Sequence, residues 1–299
     1  MGILIDSQTA VLVQGMTGQE GQKAASAMMD YGTRVVGGVR PGKGGETVLD
    51  RPIFNTVAEA VAVHPEITTT TIYVPPFAAK DAIMEAISAG IPTINTIVER
   101  IPIKDTAYCL AAAKERGIRI IGPSSLGYIV PGVGRVGVVG GPKSLADEVF
   151  TPGDIGVISR SGGMTNELSW QIRKAGLGQS AAVHVGGDLL MGTTYKDLLT
   201  LFEADADTKA VAIFGEHGGS YEFDIVDLIQ QGGFTKPLAI YIGGKFAQTM
   251  PEGMTIGHAG AIVGKGQSAA EKEAALTATG VHIAERYEDL AMIMKTLTT

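Results

Sequence analysis

The sequence is poor in the residues that mark secreted, membrane or nucleic-acid-binding chains. One cysteine in 299 residues, Cys109, excludes an internal disulfide and suits a reducing compartment. With five scattered histidines it also gives no zinc-ligand spacing, so no metal site is expected. Charged residues make up only 18% of the chain, and the net charge is −7 with no Lys/Arg block. That balance argues against a nucleic acid or an anionic membrane as partner. No apolar run reaches the roughly 18 residues that span a bilayer. The start, Met1-Gly2-Ile3-Leu4-Ile5-Asp6, lacks the regions of a signal peptide and has an acid where myristoylation needs Ser or Thr. Neither a G-x-S-x-G elbow nor a G-x-x-x-x-G-K-[ST] loop occurs. A soluble, cytoplasmic chain is the expectation.

What is abundant is apolar residues, at 45%, and glycine, at 41. The glycines gather at the ends of apolar runs, where backbone can approach a ligand. Val11-Leu12-Val13-Gln14 runs into Gly15-Met16-Thr17-Gly18-Gln19-Glu20-Gly21, and a helical stretch follows to Tyr31. Strand, glycine turn and helix together offer free N–H groups to a phosphate. A second strand, Thr33 to Gly38, ends in Gly37-Gly38-Val39-Arg40-Pro41-Gly42-Lys43-Gly44-Gly45. A NAD site wants an acid there for the ribose, so two cations point away from NAD and leave CoA or NADP. Further strands at Thr69 to Val74, Thr93 to Val98 and Ile118 to Ile121 alternate with helices at Ala78 to Ala89 and Asp105 to Arg116. This alternation predicts a parallel sheet with ligands at the carboxyl ends of its strands. From Tyr128 to Asp154 no helical period survives, and the stretch reads as an irregular crossing between domains.

The second half repeats the pattern. A strand at Ile155 to Ile158 leads through Ser159-Arg160-Ser161-Gly162-Gly163 to a helix, Met164 to Ala175, which Ser161 or Thr165 would cap. His184 ends another strand and reads as structural. A strand at Ala210 to Phe214 leads to Gly215-Glu216-His217-Gly218-Gly219, a carboxylate poised at a strand end. After a strand at Pro237 to Ile242 and a loop from Lys245 to Thr255 comes Gly257-His258-Ala259-Gly260-Ala261. Imidazole can serve there as base, ligand or nucleophile, or can simply satisfy a nearby carbonyl. A helix from Ser268 to Thr279, a strand from Val281 to Ala284 and a helix from Tyr287 to Thr296 complete the pattern.

In this order the motifs at Gly15 to Gly21, Gly37 to Gly45, Ser159 to Gly162, Gly186-Gly187-Asp188, Gly215 to Gly219 and Gly257 to Ala261 resemble the α subunit of succinyl-CoA synthetase and the homologous part of ATP-citrate lyase. The resemblance covers essentially the whole chain. It implies an α/β protein with an N-terminal Rossmann-like CoA-binding domain over 1–130 and a flavodoxin-like parallel-sheet ligase domain over 131–299. It implies that His258 is phosphorylated and steadied by Glu216. CoA would be held by Thr17, Gly18, Gln19, Glu20, Lys43, Ile97, Val98 and Glu99. Substrate or phosphate would lie at Ser161, Gly162, Gly163 and Asn166. A separate β subunit with an ATP-grasp domain would hold ATP or GTP with Mg²⁺, in a heterodimer or heterotetramer acting on a small carboxylic acid.

Several stretches depart from the succinate pattern. Gly163-Met164-Thr165-Asn166-Glu167 stands where Thr-Leu-Thr-Tyr-Glu is usual and is closer to ATP-citrate lyase. Gly122-Pro123-Ser124-Ser125-Leu126-Gly127 replaces Gly-Pro-Asn-Cys/Thr-Pro-Gly, and His217 replaces an aliphatic residue. With no citrate-synthase-like module, cleavage of citryl-CoA is not expected. Succinate or a related di- or tricarboxylate is the expected acid, with a citryl- or malyl-CoA synthetase subunit as alternative. A CoA-binding regulatory module is set against this by the presence of both Glu216 and His258. An NADP oxidoreductase lacks its acid/base constellation.

Overall fold

The apolar runs become buried parallel strands in a computed structural model that describes residues 3–246, 258 and 267–299. Each central strand sends alternate side chains to opposite faces, and both faces are covered, so the strands are buried on both sides. They carry mainly apolar or β-branched residues, with Thr69, Thr70, Thr71 and Asn95 buried among them. In β1 (Ala10–Gln14), Val11 and Val13 join one core while Ala10 and Leu12 join another. The chain continues through α1 (Gln19–Asp30), β2 (Arg34–Val39), β3 (Thr47–Val48), β4 (Arg51–Phe54), α2 (Val57–Val63) and β5 (Ile67–Ile72). It then forms α3 (Pro76–Ser88), β6 (Thr93–Thr96), α4 (Ile103–Glu115) and β7 (Arg119–Ile121). These strands make a seven-stranded sheet in the order β3-β4-β2-β1-β5-β6-β7, parallel except for the β3–β4 hairpin.

A second seven-stranded sheet follows. Its elements are β8 (Gly127–Val130), β9 (Gly134–Gly137), α5 (Lys143–Val149), β10 (Pro152–Ser159), α6 (Gly162–Lys174), β11 (Gln179–His184), α7 (Tyr195–Ala204) and β12 (Ala210–Glu216). After them come α8 (Phe223–Gln230), β13 (Leu238–Gly243), α9 (Ala269–Thr277), β14 (His282–Ile283) and α10 (Asp289–Thr298). The order is β14-β13-β12-β10-β11-β8-β9, with β8 and β9 antiparallel at one edge. Two parallel-dominated sheets in one mixed α/β chain agree with the fold expected from the sequence.

The stretch from Tyr128 to Asp154 corrects the sequence reading. It holds the β8–β9 hairpin, α5 and the first residues of β10, so it is not an irregular crossing. Its glycines hid the alternation: Tyr128, Val130 and Val136 face one core while Ile129 and Val139 face another. The second sheet begins at Gly127. The hairpin is also a joint between the sheets. Fully buried Arg135, from β9, donates through Nη2 to the Ala27 carbonyl of α1 (2.6 Å) and through Nη1 to the carbonyls of Val139 (3.1 Å) and Gly141 (2.6 Å). Thr33 Oγ1 donates to the Arg135 carbonyl at 2.6 Å.

Candidate active site

On the first sheet, the turns after β1, β2, β5 and β6 share the carboxyl edge. That edge brings together the segments holding Thr17 to Glu20, Lys43 and Ile97 to Glu99. Gly15 has φ +85°, and a Cβ there would lie 2.1 Å from the Tyr73 carbonyl oxygen, so only glycine lets β1 turn into α1 at this point. The helix begins after Gly18 with no side-chain cap, leaving the first N–H groups of Gln19, Glu20 and Gly21 to a ligand. Arg40 reaches Thr17 Oγ1 at 3.5 Å. Lys43 is half-exposed and pairs with Glu46 at 2.7 Å, an acid just beyond the segment that pointed to an anion site. Asn55, which sequence reasoning missed, accepts from the N–H groups of Gly42 and Gly44, both at 3.0 Å, and so shapes the Lys43 turn. Val98 is buried and contributes its backbone, while exposed Glu99 lies 3.4 Å from Ser124 Oγ. Cys109 lies buried in α4, where burial pushes its thiol up to about 11.

On the second sheet, α6 begins at Gly162, two residues earlier than expected, and Ser161 is its cap, accepting from Met164 N–H at 3.4 Å. Thr165 bonds back to the Ser161 carbonyl instead. Asn166 is partly turned to structure: its Oδ1 accepts from Gly140 N–H at 3.1 Å. His184 is held as a neutral ring, its Nδ1 accepting from Leu126 N–H (2.8 Å) and its Nε2 set against the Arg160 carbonyl (3.0 Å). Burial lowers its pKa to about 4. His217, also buried, has neither ring nitrogen partnered among the described residues, and burial lowers its pKa too.

The expected pair meets. Glu216, the last residue of β12, places Oε1 2.9 Å from Nδ1 of His258. Gly257 and residues 259–266 lie outside the described residues, as does the expected Lys245 to Thr255 loop from residue 247 onward. Gly187 lies against the ring: a Cβ there would fall 2.7 Å from Cγ and Cδ2 of His258. Behind Glu216 stand residues that sequence reasoning did not assign to the site. Arg160 Nε is 3.1 Å from Glu216 Oε2, and its guanidinium lies 5.8 Å from the Tyr221 ring centroid. Fully buried Lys272 donates to Glu222 Oε2 (2.6 Å), to the Glu216 carbonyl (2.8 Å) and to the Gly218 carbonyl (2.5 Å). Glu222 Oε1 in turn accepts the Glu216 N–H at 3.1 Å. Burial pushes the Lys272 ammonium down, with Glu222 opposing that shift. Side-chain exposure rises outward, from 1% at Arg160 to 13% at Glu216 and 37% at His258. Fixed charges therefore back a ring that can be reached.

The whole chain is similar to known proteins. Residues 6–100 match the model of the CoA binding domain, and 152–297 that of the succinyl-CoA ligase like flavodoxin domain. The chain is 43% identical to succinate–CoA ligase [ADP-forming] subunit alpha 1 of Archaeoglobus fulgidus, over 97% of this chain and 96% of that one. It is 42% identical to the malate–CoA ligase subunit alpha of Methylorubrum extorquens, covering 95% and 94%. Among solved structures, ATP citrate lyase from Methanothrix soehngenii in complex with citrate and coenzyme A superposes with a TM-score of 0.91 at 24% identity. That match covers 99% of this chain and 50% of the lyase chain, which shows the shared fold. No helix among the described residues is long and apolar enough to cross a membrane. With both domain models in order and relatives at this identity aligned nearly end to end, the chain belongs to the acid–CoA ligase family, among its succinate–CoA ligase-type α subunits.

Proposed function

We propose that the chain is the α subunit of a nucleotide-dependent acid–CoA ligase that carries a phosphoryl group on His258. The observation behind this reading is the 2.9 Å contact between Glu216 Oε1 and His258 Nδ1. A carboxylate there takes the Nδ1 proton as its hydrogen bond and leaves the lone pair of the neutral ring on Nε2. Nε2 attacks the terminal phosphorus of the nucleotide, and the bond to the diphosphate oxygen breaks. A carboxylate oxygen of the acid then takes the phosphoryl group from Nε2, giving an acyl phosphate. CoA thiolate adds at the acyl carbon and inorganic phosphate leaves. The phosphoimidazole divides one hard transfer into easier ones. Its charge would be met by the N–H groups at the start of α6.

CoA belongs on the first sheet, where the uncapped start of α1 and the Arg40–Lys43 turn suit its phosphates. The nucleotide and its Mg²⁺ belong to a β subunit of ATP-grasp type. Incubation with the β subunit and Mg·ATP should place an acid-labile, base-stable phosphate on His258, which CoA plus the acid then discharges. Phosphate found only on serine would end this mechanism.

A second reading concerns the acid. Asn166 turns its carbonyl oxygen toward Gly140, which leaves its NH₂ free to meet the substrate, and an amide donor suits a hydroxyl or an extra carboxylate. Malate or citrate should therefore rival succinate in kcat/KM. Strict preference for succinate by about a thousandfold, roughly 4 kcal/mol in transition-state binding, would refute it.

A further inference from the structure

We propose that Arg160 is a positioning residue that sets the posture of His258 from both sides of the ring. The proposal rests on the phosphohistidine reading for its rate consequence, though not for its geometry. Arg160 is the last residue before the Ser161 cap of α6, and its side chain is 1% exposed. A buried guanidinium must have its charge answered. Here the answer is Glu216 Oε2 at 3.1 Å, a contact of opposite charges that is not aligned as a hydrogen bond. The other oxygen of that carboxylate is the one on His258 Nδ1.

The same guanidinium reaches the opposite side of the site. Its Nη2 donates to the Asp188 carbonyl at 2.6 Å. Its plane lies near the Tyr221 ring, and Tyr221 OH accepts the Met191 N–H at 3.1 Å. Arg160 and Tyr221 together pin the segment that follows Gly187, and Gly187 packs against the His258 ring. One cation thereby holds the carboxylate that orients Nδ1 and the backbone that limits the ring's tilt. The Arg160 carbonyl also faces His184 Nε2 at 3.0 Å, which ties the whole to the start of α6. Arg160 does not touch the reacting nitrogen. Its effect passes through Glu216 and the Gly187 segment, and a small misplacement of a nucleophile is enough to slow its reaction.

The test uses the full chain with its β subunit and the variants R160M, R160K and R160Q. Glutamine keeps a donor for Asp188 without the charge, and lysine keeps a charge without the fork. In ¹⁵N-histidine-labelled protein, the His258 signal, identified by its loss in His258→Asn, should report an Nδ1–H ring in the wild type. R160M and R160Q should shift it to mixed tautomers. Their phosphorylation by Mg·ATP should slow by about 100-fold, the scale of a misplaced reacting group. CoA affinity and the KM for nucleotide should stay unchanged, and R160K should recover part of the rate. If R160M does not fold, R160Q and R160K carry the same comparison. A folded R160M or R160Q with wild-type tautomer and wild-type phosphorylation overturns the proposal. If the wild type takes no phosphate at all, the phosphohistidine reading fails, and the tautomer comparison still decides the role of Arg160.

Discussion

The starts of α1 and α6 come from the same device, a buried strand running through glycine into a helix, and they are finished differently. At α1 the cap is Gly18, with no side-chain bond, and the cations nearby sit on the surface: Lys43 pairs with Glu46, and Lys23 with Glu20. At α6 the cap is Ser161, and behind it lie the buried charges of Arg160, Glu216, Glu222 and Lys272. Exposed pairs are worth little, because water screens them and the long side chains keep their freedom. Buried pairs are costly to desolvate and more costly to break. On the proposed reading, the α1 start would grip and release a phosphorylated ligand and the α6 start would hold a nucleophile still.

The sharpest break in this comparison is His258→Asn. It should remove phosphoenzyme and cut turnover by at least about 10⁴-fold, as for a lost nucleophile, with CoA binding intact by calorimetry. An active variant would mean that the ring is only structural. Next comes the contrast in stability. Lys272→Met strands Glu222 and should cost about 3–5 kcal/mol, read from the denaturant midpoint. Lys43→Met should stay within about 0.5 kcal/mol of wild type. Equal effects would erase the distinction between buried and exposed charge.

His184 gives a pH signature confined to the second sheet. Its folded pKa of about 4 lies below the unfolded value of about 6.5, so the unfolded chain takes the proton first. The stability that the neutral ring contributes is present above about pH 6.5 and is lost as the pH falls toward 4. The loss amounts to about 3 kcal/mol at the low end. Urea midpoints between pH 7 and 4.5 should fall more steeply in the wild type than in His184→Gln, whose amide can both donate and accept. Parallel profiles would show that the ring titrates freely. The smallest expected loss belongs to CoA binding at the first cradle: Lys43→Ala should weaken CoA by roughly 1–3 kcal/mol. Dephospho-CoA binding as well as CoA would show that no group here reads the 3′-phosphate.

Legibility followed the same divide. Parallel strands buried on both faces read as apolar runs at β1, β10, β12 and β13 and as a β-branched run at β5, so these stood out, and the turns after them pointed to the edge where ligands were expected. The β3–β4 and β8–β9 hairpins did not stand out, because Pro52 and the glycines of 127–137 interrupt their short alternation. At the site, Glu216 and His258 were visible as ionisable residues among glycines. Arg160 lay inside a recognised motif, and a lone cation ending an apolar strand was the clue to its burial. Lys272 gave no clue. In Glu271-Lys272-Glu273 it reads as part of a solvated helix face, and only tertiary packing turns it inward onto Glu222.

The absence of a side chain at Gly187 shapes the seat of the ring. A Cβ at 2.7 Å from the His258 ring leaves no room for the ring in its present posture, whatever the rest of the sequence says. In this chain the bare backbone at Gly187 is thus as much a part of the ring's seat as the carboxylate on Nδ1.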